Sequence, residues 1–247
     1  MKRLISPALL LLCALVAGAG AAERPNIVFF FIDDLGWADL GCYGSKFHET
    51  PNLDRLAEQG MRFTDAYAAC PVCSPTRASV MTGKYPARLG ITDWIGASQK
   101  REALVTPPNE SFLPLDEVTI GEAMQDGGYK TAYFGKWHLG ASDDHHPEKQ
   151  GFGYHRGVNR AGAPGSYFFP FARGKRAASA VPDFADADEG SYLTDLLAGE
   201  AVNFVEEHQE EPFFLFLAHY SIHTPIQAKS EHVEKYRKKL AEQGRSE

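Results

Sequence analysis

Two runs of the chain are apolar without interruption, and they limit the possible folds more than any other feature. Asn26-Ile-Val-Phe-Phe-Phe-Ile32 and Phe213-Phe-Leu-Phe-Leu-Ala218 are strand-length, rich in β-branched and aromatic residues, and show no polar alternation. A strand with one wet face alternates; one buried on both faces does not, and that situation arises in parallel sheets covered by helices on both sides. The segments between them carry helical signals. Thr50-Pro51 through Gln59, stopped by Gly60, reads as a helix with proline in its first turn, and Met61 to Tyr67 is expected to return as a strand. Thr119 to Gln125 reads as a helix closed by Gly127-Gly128, followed by a strand at Lys130 to Phe134. Leu193, Leu196, Leu197, Ala201, Phe204 and Val205 fall on one helical face, which predicts an amphipathic helix over 191–208. A polar helix is expected over 230–245. Strands alternating with helices predict an α/β domain with a largely parallel central sheet flanked by helices.

The first 22 residues are different in kind. Lys2 and Arg3 precede the apolar run Ala8 to Val16 and the small residues Ala17 to Ala22, the layout of a secretory signal peptide. The run is short for a membrane span, so no stable membrane anchor is expected, and export to the periplasm or the extracellular space is. Residues 23–247 are then the mature domain. Losing Lys2 and Arg3 leaves 23 basic against 32 acidic residues, a net charge of −9, which argues against nucleic acid as a partner. Three cysteines remain, Cys42, Cys70 and Cys73, and an odd number in an exported chain leaves at least one thiol for chemistry.

In an open α/β sheet ligands collect beyond the carboxyl ends of the strands. Three polar clusters fall there: Asp33-Asp34, Lys136 with His138, and His223-Thr224. Adjacent carboxylates suit a hard divalent cation, provided the chain turns so that both point the same way, a turn that Gly36 would permit. Cys70-Pro-Val-Cys73 is formally a C-x-x-C, but no second such pair exists to complete a zinc site. His145-His146 reads as a solvated loop, and Trp94 as core or pocket wall.

The run Cys73-Ser-Pro-Thr-Arg77, continuing to Thr82-Gly83, matches Cys-x-Pro-x-Arg, which chance would produce on the order of a few times in 100,000 positions. Together with Gly135-Lys-Trp-His-Leu-Gly140 it resembles the type I sulfatases of the alkaline phosphatase superfamily, over nearly all of residues 24–225. The resemblance implies an alkaline phosphatase-like fold and hydrolysis of sulfate esters, aryl sulfates or sulfated carbohydrates. It implies that a maturating enzyme oxidises Cys73 to formylglycine, whose hydrate attacks sulfur with the help of a divalent metal, Ca2+ or else Mg2+, held by Asp33, Asp34 and the modified Cys73. Arg77, one helical turn on, would hold the diol. Lys136 would bind sulfate oxygens, His223 would protonate the leaving alcohol and His138 would take the proton whose loss expels sulfate.

The resemblance also implies further metal ligands, an Asp followed by Asn or His, and a substrate lysine downstream. Residues 224–247 contain no Asp and no Asn. A fragment, or a shortened binding protein with weak or no activity, is therefore the alternative, along with a phosphate or phosphonate ester hydrolase of the same superfamily. With the next strands absent, Phe213 to Ala218 is expected to lie at an uncovered sheet edge.

Overall fold

The computed structural model describes residues 24–97, 105–172 and 177–245. The segment read as a signal peptide lies outside these residues. Both apolar runs are strands, β1 (Ile27–Ile32) and β4 (Phe213–His219), and they pair in parallel from Ile27 with Phe214 to Ile32 with His219. Four helices follow β1: α1 (Pro51–Gln59), α2 (Cys73–Thr82), the short α3 (Pro86–Leu89) and α4 (Ile120–Asp126). Strand β2 (Lys130–Gly135) follows, then β3 (Tyr154–Arg156) and α5 (Leu193–Glu207); α6 (Ser230–Glu242) comes after β4. The sheet is parallel throughout, in the order β1-β4-β2-β3.

Every residue of β4 is buried, as its lack of alternation demands. Phe213, Leu215 and Leu217 join Ala132 and Phe134 on one face, where Leu193, Leu197, Ala201 and Phe204 of α5 cover them. Phe214, Phe216 and Ala218 join Tyr133 on the other, against Ala78 and Met81 of α2 and the loop residues Trp137 and Phe152. Burying one such side chain stabilises the fold by roughly 1.5–3 kcal/mol, so the two layers hold α2 and α5 firmly on opposite faces.

Two sequence expectations fail. Phe213 to Ala218 lies in the interior of the sheet, between β1 and β2, and the uncovered edge is β1, whose Val28 and Phe30 are exposed. The chain leaves a gap between β1 and β2 and returns after β3 to fill it with β4. Met61 to Tyr67 forms no strand; Met61, Phe63 and Tyr67 are exposed, and a strand needs a ladder partner, which the described residues do not offer there.

Candidate active site

Strands β1, β2 and β4 end together, and the sequence at their carboxyl ends decides what gathers there. Beyond β1 the backbone stays paired with the segment after β4: Asp33 N–H donates to Ser221 O (3.1 Å) and Ile222 N–H to Asp33 O (2.9 Å). This second ladder carries His223 alongside the two aspartates. Asp34 takes a left-handed conformation (φ 58°), so the turn that brings both carboxylates round is made by Asp34 itself and not by Gly36. A non-glycine residue in that region stores strain, and such strain gathers at functional sites. The result is a cluster in which ligand atoms of Asp33, Asp34 and His223 lie within 4.8 Å of one another.

Asp33 is buried and sits between two buried cations. Lys136 Nζ donates to its Oδ2, and Arg77 Nη2 lies 3.3 Å from its Oδ1. Burial alone would raise the Asp33 pKa; Arg77 first and then Lys136 outweigh it and hold the carboxyl below its usual value. Burial, then the charge of Arg77, lowers the pKa of Lys136, which Asp33 and Cys73 offset in part. Arg77 is fixed further by Lys136 O (2.6 Å) and lies over the Phe31 ring, 5.0 Å from its centroid.

Cys73 opens α2. Pro75 occupies the third helical position, where a missing N–H costs nothing, Thr76 N–H makes the first helical bond to Val72 O (3.2 Å), and Gly83 ends the helix at φ 67°. Helix amino ends favour anions. The thiols of Cys42, Cys70 and Cys73 are all free, so Cys70-Pro-Val-Cys73 is no disulfide. Cys73, Trp94, His138, Arg160, His223 and Thr224 share one cavity of about 870 Å³.

Each histidine has a defined ring orientation. His138, itself at φ 55°, lies with Nε2 3.1 Å from Ile95 O; a carbonyl only accepts, so Nε2 carries the hydrogen and Nδ1 is left as the basic nitrogen, buried and without a partner among the described residues. Burial, then the charge of Lys136, lowers its pKa to about 4. His223 Nδ1 lies 2.8 Å from Thr224 O and by the same argument carries hydrogen, so Nε2 faces Asp34 Oδ2 at 4.0 Å. His145 and His146 stand apart: His145 stacks on Phe112 with ring centroids 3.9 Å apart, and His146 meets His155 edge-on.

Several residues that serve this site carry no sequence signal. Ser74 Oγ accepts from Ile95 N–H (3.0 Å), tying the Trp94–Gly96 loop to the start of α2, and Asn109 Oδ1 accepts from Thr92 and Asp93 N–H at its base. Across the cavity the buried Asn159 receives its own fixing bond through Tyr220 Oη, to which Asn159 N–H donates (3.1 Å).

The lowered histidine pKa values give a pH dependence. His219, at the end of β4, is also buried and lowered to about 4. A histidine kept neutral in the fold but protonating near 6.5 when unfolded binds more protons unfolded, so stability is lost as pH falls from 6.5 toward 4. Each shift is worth up to about 3 kcal/mol. Urea unfolding at pH 7, 6, 5 and 4 should show a steep fall over that window, roughly halved in His219→Gln.

A family model described as Sulfatase matches residues 25–246. The chain belongs to the sulfatase family. It is 35% identical to N-acetylgalactosamine-6-sulfatase of Canis lupus familiaris, over 89% of this chain and 44% of that protein. To arylsulfatase A of Homo sapiens it is 37% identical, over 87% of this chain and 44% of the relative. Among solved structures, Ps i-CgsB superposes with a TM-score of 0.72 at 34% identity, covering 87% of this chain and 49% of that one. BT4656 in complex with its substrate D-glucosamine-2-N,6-O-disulfate superposes at 0.63 and 26% identity, covering 88% and 38%. The chain thus spans less than half the length of the two curated relatives. The sulfatase fold is the parallel sheet flanked by helices described above, and no helix among the described residues is long and apolar enough to cross a membrane.

Proposed function

We propose that this chain carries the nucleophile of a sulfate ester hydrolase, with Cys73 oxidised to formylglycine by a maturating enzyme and an exported protein as its setting. The observation that carries the reading is the position of Cys73: first residue of a helix, in the same cavity as two histidines with defined proton-bearing nitrogens. Sulfated carbohydrate is the proposed substrate class, supported by the glucosamine disulfate bound to one structural neighbour and the k-i-k-neocarrahexaose bound to another. Aryl sulfates are suitable probes.

The residues fit a divalent cation. The carboxylates of Asp33 and Asp34 converge within 4.8 Å, oxygen ligands suited to Ca2+ or Mg2+, with Asp33, Asp34 and residue 73 as the proposed holders. Such a cation, when bound, draws electron density from an oxygen on residue 73 and from the sulfate. A hydrated aldehyde at residue 73 supplies two hydroxyls, one to take the sulfuryl group and one to lose a proton afterwards. Lys136 and Arg77 bring fixed positive charge beside this position, which orients an anionic ester and costs no reorganisation during reaction. His223, whose Nε2 faces the cluster while Nδ1 is tied to Thr224 O, is the proposed proton donor to the departing alcohol. His138, neutral at pH 7, takes a proton at Nδ1.

The test is hydrolysis of an aryl sulfate beside the matching aryl phosphate, by protein from a host able to install the aldehyde. Preference for the sulfate supports the reading; preference for the phosphate supports a phosphate ester hydrolase instead. His138→Ala should leave a burst of one equivalent of alcohol and slow later turnover by roughly 10²–10⁴-fold. Slow alcohol release without a burst would assign the base elsewhere.

A further inference from the structure

We infer that Gly162 is a positioning residue for His138, its missing side chain being the space that the imidazole occupies. The inference deepens the proposed function, because it concerns how the proton acceptor of that site is held.

The geometry is close-fitting. A Cβ placed on Gly162 would lie 2.2 Å from Cε1, 2.4 Å from Nδ1 and 2.6 Å from Nε2 of His138, all well inside van der Waals contact. The conformation at Gly162 is not the reason for glycine there: its φ lies outside the left-handed region, so an alanine backbone could adopt it. Space is the reason. The atoms in the way belong to a side chain and not to the backbone, so alanine would push the ring out of place rather than break the chain around it.

The imidazole is confined from several sides. Ile95 O holds Nε2, the Trp94 ring stands 6.5 Å away centroid to centroid, and Gly162 lies against the edge that includes Nδ1, the nitrogen left to take a proton. Gly162 is itself anchored. Asn159 Oδ1 accepts from Ala161 N–H (3.1 Å), Asn159 Nδ2 donates to Ala163 O (3.0 Å), and Asn159 N–H donates to the buried Tyr220 hydroxyl, which in turn donates to Gly157 O (3.0 Å). One buried amide therefore braces the residues on both sides of Gly162, and the loop cannot yield easily when the ring is crowded. A hydrogen-bonded frame that fixes a reacting side chain within a fraction of an ångström is what preorganised chemistry requires.

The test is a double-mutant cycle on the 247-residue chain with three readouts. Long-range 1H–15N spectra of the imidazoles should show His138 as a single Nε2–H tautomer in the parent protein and as a shifted, mixed-tautomer signal in Gly162→Ala. A merely structural role for Gly162 would not move that signature. The Tm of Gly162→Ala should fall by at least ~3 °C, but in a His138→Ala background the same substitution should leave Tm unchanged or raise it, since the space is then empty and alanine restricts the unfolded chain. If Gly162→Ala alone does not fold, the double variant decides: folding at the Tm of His138→Ala supports the assignment. In turnover, Gly162→Ala should reproduce the burst and slow phase of His138→Ala. An unchanged His138 signal, or a Tm loss that persists without His138, overturns the inference. A protein without turnover would overturn the proposed function while leaving the spectral and thermal arms to decide this one.

Discussion

Replacing Cys73 by alanine is expected to abolish the proposed aryl sulfate turnover, a loss of at least about 10⁴-fold of the kind seen when a nucleophile is removed, while Cys70→Ala is expected to leave turnover unchanged. The two cysteines are three residues apart, both partly buried and both free, so position alone does not separate them. Their surroundings do. Cys73 begins α2 and lines the cavity with His138 and His223; Cys70 contributes its backbone carbonyl, which accepts from Thr76 Oγ1. Initial rates at saturating aryl sulfate on matched preparations check this. Turnover surviving Cys73→Ala would remove residue 73 from the chemistry.

The second large effect is on stability. Asp33→Asn keeps the shape of the side chain but leaves Arg77 and Lys136, both essentially inaccessible to solvent, facing each other without an anion. Removing one partner of a buried ion cluster typically costs 3–5 kcal/mol, because the remaining charge is left desolvated and uncompensated. The expected result is a fall of about that size in urea-unfolding free energy at pH 7. Adding Lys136→Met to Asp33→Asn should recover roughly 1–3 kcal/mol, as one of the stranded charges is then gone. A cost below about 1 kcal/mol for Asp33→Asn would mean that something other than Asp33 neutralises the two cations.

How much of this was legible in the sequence depends on how local the cause is. Strands β1 and β4 could be read from their unbroken apolar runs, and α4 from Thr119 with Gly127: the Thr119 hydroxyl and the Glu122 carboxylate cap each other's backbone N–H groups. The resemblance carried by Cys73-Ser-Pro-Thr-Arg77 was enough to name the family. Strand order was not legible, because the apolar run of β4 records burial on both faces and says nothing about which strands are its neighbours. Neither was the turn at Asp34, since an aspartate in a left-handed conformation is set by the ladder to Ser221 and Ile222, far along the chain. The loop 157–165 lacked periodicity because its order comes from Asn159 and Tyr220, which meet across 61 residues. The same holds for Ile95, whose two polar groups serve Ser74 and His138 rather than any neighbour in sequence.

The proposal that residue 73 is an oxidised nucleophile is tested most directly by the mass of the peptide that carries it. The protein is made in a host that converts a known sulfatase in parallel, and the tryptic peptide from Phe63 to Arg77 is weighed. The expected peptide is lighter than the encoded cysteine form by the thiol-to-aldehyde difference and reacts with a hydrazine. A thiol or a disulfide at residue 73, beside a fully converted control, would contradict it.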